Sequence, residues 1–148
     1  MELVSIIMPA YNCSRFIREA IDSVLAQTYT AWELLIVDDC STDDTAAIIA
    51  SYQDERIHYF RNEQNSGAAL SRNKALREAK GKYIAFLDAD DSWMPEKIEK
   101  QVAFMEQNGY AFTYTAFHRT DKPLRISGPR HITKMGMYAF CWPACPPV

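Results

Sequence analysis

No stretch of this chain approaches the roughly 20 consecutive apolar residues that an α-helix needs to cross a bilayer. A transmembrane helix is therefore not expected, while contact with a membrane surface stays open. The chain also lacks any run of lysine or arginine, and its formal charge of −3 and pI near 5.6 give no global attraction to nucleic acid or anionic lipid. Nucleic-acid binding is not expected. The first residues lack the basic start and longer apolar stretch of a signal peptide, since Glu2 precedes a short apolar segment ended by Pro9. The expected location is the cytoplasm, extending to the inner face of the membrane. Cys13, Cys40, Cys141 and Cys145 form no C-x-x-C pair and no paired His/Cys set at zinc spacing, so reduced thiols are expected. Cys141 and Cys145 could supply half a metal site, but no second half follows.

What remains is an ordinary globular composition, with 48% hydrophobic and 24% charged residues over 148 positions. That is enough for one domain with a real core. Short segments rich in β-branched or aromatic residues read as strands at Val4 to Met8, Trp32 to Val37, Ile57 to Phe60, Tyr83 to Leu87 and Ala111 to Thr115. Between them lie amphipathic stretches. Phe16, Ile17, Ala20, Ile21, Val24 and Leu25 form one apolar stripe of a first helix. Ser41-Thr42-Asp43-Asp44 reads as a capping box opening a second helix through Ile48, Ile49 and Tyr52. A third helix is expected from about Ser66 to Lys80 with Gly81 as its C′ residue. A fourth starts with Pro95 at its first position and ends at Gly109.

Strand and helix alternate four times. That pattern predicts an α/β fold, a three-layer sandwich around a mostly parallel sheet, because right-handed crossovers place helices on both faces. Residues 1–115 are expected to form this domain. Residues 116–148, with Pro123, Pro129, Pro143, Pro146 and Pro147 and no sustained period, read as loop or as an incomplete further region. Their ending has the look of a cut chain, and a sheet edge left open by such a cut would favour self-association into dimers or larger assemblies.

The chemistry concentrates at strand ends. Asp88-Ala89-Asp90-Asp91 follows the fourth apolar run directly. Two like charges about 4 Å apart repel by roughly 4 kcal/mol at an effective dielectric of 20, so these carboxylates must spread into water, take up protons or hold a cation. Hard oxygen ligands suit Mg²⁺ or Mn²⁺, whose shells are commonly completed by substrate phosphates. Ligands of open parallel sheets bind beyond the carboxyl ends of the strands. If strands one, two and four lie together, Pro9-Ala10-Tyr11-Asn12, Asp38-Asp39 and Asp88 to Asp91 converge on one crevice suited to a nucleoside diphosphate. Tyr11 could stack on a base, Asp38 or Asp39 could accept the N3–H of a uracil, and Asp88 and Asp90 could serve ribose and metal. The plainer reading of Asp38 and Asp39 is a turn and a helix cap. On the third helix Ala68, Ala69, Ala75, Leu76 and Ala79 share a face with Arg72 near its middle. The Arg72 guanidinium could meet a carboxylate or a phosphate there, or snorkel to solvent. Asp88, Asp90, Ser92, Glu96 and Glu99 also match a calcium loop in part, but Trp93 stands where that loop needs glycine, and a strand precedes it.

With Val4 to Asn12, Glu33 to Asp43, Asn65-Ser66-Gly67 through Arg72-Asn73, and Tyr83 to Asp91 in this order, the chain resembles the family 2 glycosyltransferases of the GT-A type, especially bacterial enzymes of cell-surface polysaccharide synthesis. The resemblance covers roughly Val4 to Asn108. It implies a Rossmann-like nucleotide-binding fold and a nucleotide-sugar donor, most often UDP-linked, with Pro9 to Tyr11 and Asp39 around the base. It also implies Asp88-Ala89-Asp90 as the DXD element, Asp90 as the first choice for metal contact with Asp91 as a substitute, and Mn²⁺ or Mg²⁺ as cofactor. Transfer to a glycan or lipid-linked acceptor would invert the anomeric centre, with a carboxylate as base. Of the acids after Asp91, Glu96, Glu99, Glu106 and Asp121, none matches the family's base motif, so the base is expected beyond Val148 and this chain as the donor-binding part. Two alternatives stand beside transfer: a nucleotide-binding module without catalysis, and a phosphoryl-transfer domain using Asp88 or Asp38.

Overall fold

A computed structural model describes residues 1–116 and the strand 137–140. The elements run β1 (Val4–Ala10), α1 (Ile17–Leu25), β2 (Trp32–Asp38), α2 (Thr45–Ala50), β3 (Ile57–Arg61), α3 (Ala68–Glu78), β4 (Tyr83–Phe86), α4 (Lys97–Asn108), β5 (Phe112–Thr115) and β6 (Met137–Phe140). The first four strands make one parallel sheet in the order β3-β2-β1-β4. β5 and β6 pair antiparallel, and β6 lies beside β4. β6 falls in the region read from sequence as loop; its four residues carry too short a pattern to separate a strand from irregular chain.

Why these strands pair this way is visible in burial. Every residue of β2 is buried, as a central strand covered on both faces requires. In β1 the alternation splits two cores: Val4, Ile6 and Met8 pack with Ile17, Ile21 and Val24 of α1, Ile49 of α2 and Ile98 and Met105 of α4, whereas Ile7 packs with Leu35, Val37 and Ala75 of α3. Three helices therefore cover one face and α3 the other. Each fully buried aliphatic side chain contributes about 1.5 to 3 kcal/mol by leaving water.

The helix arrangement also fixes where the strand order reverses. The chain steps from β1 to β2 to β3 through α1 and α2, then crosses back over the opposite face through α3 to reach β4 on the far side of β1. With right-handed crossovers, that change of direction requires the change of face. The switch point lies between β1 and β4, and the carboxyl ends of strands at such a point are where open parallel sheets bind ligands.

Several local expectations need correction. Ser41 and Asp44 form no capping box, because the loop before α1 claims the polar groups: Ser41 Oγ accepts from Asn12 N–H at 2.9 Å, Thr45 Oγ1 from Cys13 N–H at 2.9 Å, and Asp43 Oδ2 from Ser14 N–H at 3.0 Å. Pro95 precedes the N-cap Glu96 instead of opening α4. Gly109 does end α4, in the left-handed conformation at φ 63°. Gly81 is not a helix C′ residue, since α3 stops at Glu78 and Ala79 is already extended. It is required for close approach: an added Cβ would lie 2.6 Å from Ser5 N and 2.8 Å from Leu3 O. The face of α3 that meets the sheet centres on Ser71 and Ala75, with Ala68 and Ala69 exposed, so Arg72 sits on the flank of the buried stripe. The uneven spacing of small alanines made the wheel a poor guide there.

Candidate nucleotide-binding site

The carboxyl ends of β2, β1 and β4 lie side by side in that order. Ala10 pairs with Asp38, the Asp39 N–H donates to the Ala10 carbonyl at 2.8 Å, and Leu87 N–H donates to the Ile7 carbonyl at 3.1 Å. Asp39 and Asp88 therefore flank β1, two strand spacings or roughly 10 Å apart. Between them stand the last residues of β1: Pro9 half-buried, Ala10 buried and then Tyr11, 51% exposed and available to a planar ligand. Asn12 holds a positive φ of 46°, and its Oδ1 accepts from Thr42 N–H at 2.8 Å. This amide stitches the two loops together.

The two aspartates at the end of β2 divide their work. Asp38 is fully buried; its Oδ1 accepts from Ser41 N–H at 2.8 Å, its Oδ2 from the Tyr59 hydroxyl at 2.9 Å, and Arg61 Nε stands 3.8 Å away. Burial and this bond to Asp38 push the Tyr59 phenol up to about 12. Asp39 points to the other side. Its Oδ1 accepts from Asn62 Nδ2 at 2.7 Å and Ser66 N–H at 2.9 Å, and its Oδ2 from Gly67 N–H at 2.6 Å. Burial alone would raise the Asp39 pKa, but the donors of Asn62, Ser66, Gly67 and Ser71 outweigh it and hold the carboxyl below the usual range. Gly67, with φ of 87°, opens α3, so a side chain from β2 supplies the cap that the helix itself lacks.

At the end of β4, Arg72 Nη2 donates to Asp88 Oδ1 at 2.5 Å, joining α3 to the acidic loop. Asp91 N–H closes a turn onto the Asp88 carbonyl at 3.0 Å. Asp90 and Asp91 are exposed and Ala89 is buried beneath them. Partial desolvation and then the charges of Asp90 and Asp88 push the Asp91 carboxyl up. Among the described residues, no group of three His, Cys, Asp or Glu side chains converges as a metal set, so the three carboxylates expected around one cation do not gather into a preformed cage. Asp88 is paired with Arg72 instead.

Trp93 is buried in the core, as a calcium loop would not allow. The acids of the fourth helix are committed elsewhere: Glu96 to Lys100, Glu99 to the Thr28 hydroxyl at 2.7 Å, and Glu106 to Tyr83 and Lys82. Asp121, Cys141, Cys145 and the late prolines lie outside the described residues, while Cys13 and Cys40 are free thiols. Sequence reading did not single out Asn62, Tyr59 or Ser71, the side chains that hold the two aspartates. No helix among the described residues is long and apolar enough to cross a membrane.

A mostly parallel four-stranded sheet with helices on both faces is an α/β fold of the GT-A type. The chain belongs to glycosyl transferase family 2, whose family model matches residues 5–143. It is 46% identical over 149 aligned positions to a UDP-Glc:α-D-GlcNAc-diphosphoundecaprenol β-1,3-glucosyltransferase, WfaP, of Escherichia coli, with 98% of this chain and 59% of that protein covered. Among solved structures it is similar to S. aureus TarS 1-349 in complex with UDP, at 30% identity and a TM-score of 0.75, covering 88% of this chain and 38% of that one. It is also similar to the mannosyltransferase PcManGT from Pyrobaculum calidifontis in complex with GDP-Man and Mn²⁺, at 28% identity and a TM-score of 0.65, covering 69% of this chain and 32% of that one. The chain thus spans about half the length of the curated relatives it matches.

Proposed function

We propose that this chain is the donor-binding part of an inverting, metal-assisted glycosyltransferase that moves a sugar from a UDP-sugar to a glycan or lipid-linked acceptor at the cytoplasmic face of a membrane. One observation carries the reading: β2, β1 and β4 end side by side, with Asp39, Tyr11 and the Arg72–Asp88 pair along one rim. A base stacked on Tyr11 brings its N3–H toward Asp39, with Pro9, Ala10 and Asn12 forming the floor and wall. The diphosphate then extends toward Asp88 and Arg72. Arg72 is suited to a phosphate because its planar fork binds two oxygens at once.

The acidic loop fits a hard divalent cation. Its donors are all carboxylate oxygens, and partial desolvation together with the charges of Asp90 and Asp88 holds the Asp91 carboxyl up. Asp90 is the first residue to hold the ion, with Asp88 and Asp91 beside it and donor phosphates expected to complete the shell. When bound, Mn²⁺ or Mg²⁺ would neutralise the diphosphate as the leaving group. Similarity to a mannosyltransferase solved with Mn²⁺ supports this choice, and the lipid-linked acceptor in the name of the E. coli relative supports the acceptor class.

Binding without turnover by this chain alone is the second reading, favoured because Glu96, Glu99 and Glu106 are each engaged in structural contacts. A phosphoryl-transfer role fits less well, since Asp38 is buried with both oxygens bonded and Asp88 is paired with Arg72. Calorimetric titration with UDP, CDP and GDP, with and without Mn²⁺, tests the proposal. Tight binding of UDP that needs the metal and is lost in Asp90→Asn is expected; equal affinity with and without metal overturns it.

A further inference from the structure

We propose that Gln27, buried just after α1 and against the start of α4, is a positioning residue for the acidic loop: its amide fixes the backbone that follows Asp91 and so sets how tightly the loop holds a divalent cation. The inference rests on the reading above, that Asp88, Asp90 and Asp91 serve the metal.

The loop is held at its two ends. Upstream, Leu87 is fully buried and its N–H donates to the Ile7 carbonyl at 3.1 Å. Within the loop, Asp88 is paired with Arg72, and the Asp91 N–H donates to the Asp88 carbonyl at 3.0 Å. Among the described residues, no hydrogen bond or ion pair reaches the carboxylate of Asp90 or Asp91. With no side-chain partner to place them, these two carboxylates take their positions from the loop backbone, and the backbone takes its course from its downstream anchor.

That anchor is the Gln27 amide. Trp93 packs its ring into the core, but Met94 is 76% exposed and Pro95 is exposed too, so burial does not hold the chain after it. Gln27 Nε2 donates to the Met94 carbonyl at 2.8 Å and to the Ser23 carbonyl at 3.0 Å, while Gln27 Oε1 accepts the Ile98 N–H at 3.1 Å. A carbonyl can only accept and a backbone N–H can only donate, so these partners leave the amide one orientation. The N-cap residue of α4, Glu96, makes no side-chain cap bond, so Gln27 caps this helix from another element. Thr28 N–H adds a bond to the Pro95 carbonyl at 2.9 Å. Only Ser92 and Trp93 separate Asp91 from Met94. A displacement at Met94 therefore has little chain in which to be absorbed before it reaches the carboxylates. Groups that orient metal ligands from behind typically change metal affinity by about 10- to 100-fold when removed.

Gln27→Met tests this by keeping the length of the side chain and removing its bonds. UDP affinity is measured by calorimetry with and without Mn²⁺, with circular dichroism to check folding. The expected result is a fall of about tenfold or more in the enhancement of UDP binding by Mn²⁺, with metal-free UDP affinity within about twofold of wild type. An amide that merely supports the fold would lower stability and leave the enhancement at its wild-type value, and that result overturns the role of Gln27. An equal loss of affinity with and without Mn²⁺ is a general distortion of the site and overturns it as well. If Gln27→Met does not fold, Gln27→Asn, which draws the amide back by one methylene, decides: an enhancement reduced about threefold or more supports the inference, and an unchanged one overturns it. Asp90→Asn separates the two levels. If the wild-type chain shows no enhancement by Mn²⁺, the reading of the acidic loop fails and the inference with it; if Asp90→Asn loses the enhancement and Gln27→Met keeps it, only the role of Gln27 fails.

Discussion

Arg72 and Asp88 meet across the gap between α3 and the end of β4, guanidinium Nη2 to carboxylate Oδ1 at 2.5 Å, with side chains 34% and 44% exposed. A pair this open to water adds less than about 1 kcal/mol to stability. Its value lies in placement. The contact holds a cation beside the loop where the diphosphate is proposed to sit, and it is one that a phosphate can share or replace.

Arg72→Ala is accordingly expected to lower the melting temperature by no more than about 4 °C while weakening UDP binding by about tenfold or more. Thermal denaturation and calorimetry on the same preparation check the two parts. A large loss of stability with unchanged affinity would make the pair structural.

Asp43 should control part of the response to acid. Burial raises its pKa, but bonds from Thr45 and Ser14 outweigh this and place it below the usual carboxylate range. Because the folded value lies beneath the unfolded one near 4, its contribution is complete above that pH and is lost as pH falls toward the folded value. Asp43→Ala should cost about 1 to 2 kcal/mol at neutral pH and flatten the fall in stability below about pH 4. Urea denaturation across that range measures both effects; a curve that keeps the wild-type acid slope counts against the assignment.

Gly81→Ala gives a sharper structural test. The new methyl would meet Ser5 N at 2.6 Å, Ser5 Oγ at 2.7 Å and Leu3 O at 2.8 Å, and Ser5 is itself fixed by donating to buried Glu33 at 2.5 Å. Neither the backbone nor this bonded hydroxyl can yield cheaply. A loss of about 2 kcal/mol or more is expected by chemical denaturation, against about zero for Gly→Ala at an unobstructed position with ordinary φ.

How far these features could be read in advance depended on the range of the interaction. Strand β2 declared itself because seven neighbouring residues from Trp32 to Asp38 share one environment, and Gly109 because one conformation ends a helix. Asp39, Tyr11 and Asp88 could be placed at strand ends because the elements alternate, but their common rim depends on strands one, two and four being neighbours, which alternation leaves open and the order β3-β2-β1-β4 supplies. The fate of Ser41 and Asp43 could not, since their partners Asn12 and Ser14 lie 29 residues away in sequence. Local capping logic competed with these long-range bonds and lost. The same holds for Asn62, whose amide acquires meaning only when β3 sets it against Asp39, 23 residues earlier.

That competition separates the two aspartates in a testable way. Tyr59 touches Asp38 through its hydroxyl at 2.9 Å, and Asp39 receives its bonds from other groups, so Tyr59→Phe removes a donor from the structural acid alone. The buried Asp38 oxygen would then keep only Arg61 at 3.8 Å, at a cost of about 1 to 2 kcal/mol in stability. UDP affinity should stay within about twofold of wild type, because the lost bond lies behind the strand end and not at its rim. Denaturation and calorimetry on Tyr59→Phe measure these together. A fall in UDP affinity without a fall in stability would move Asp38 into the binding surface and give it the role assigned to Asp39.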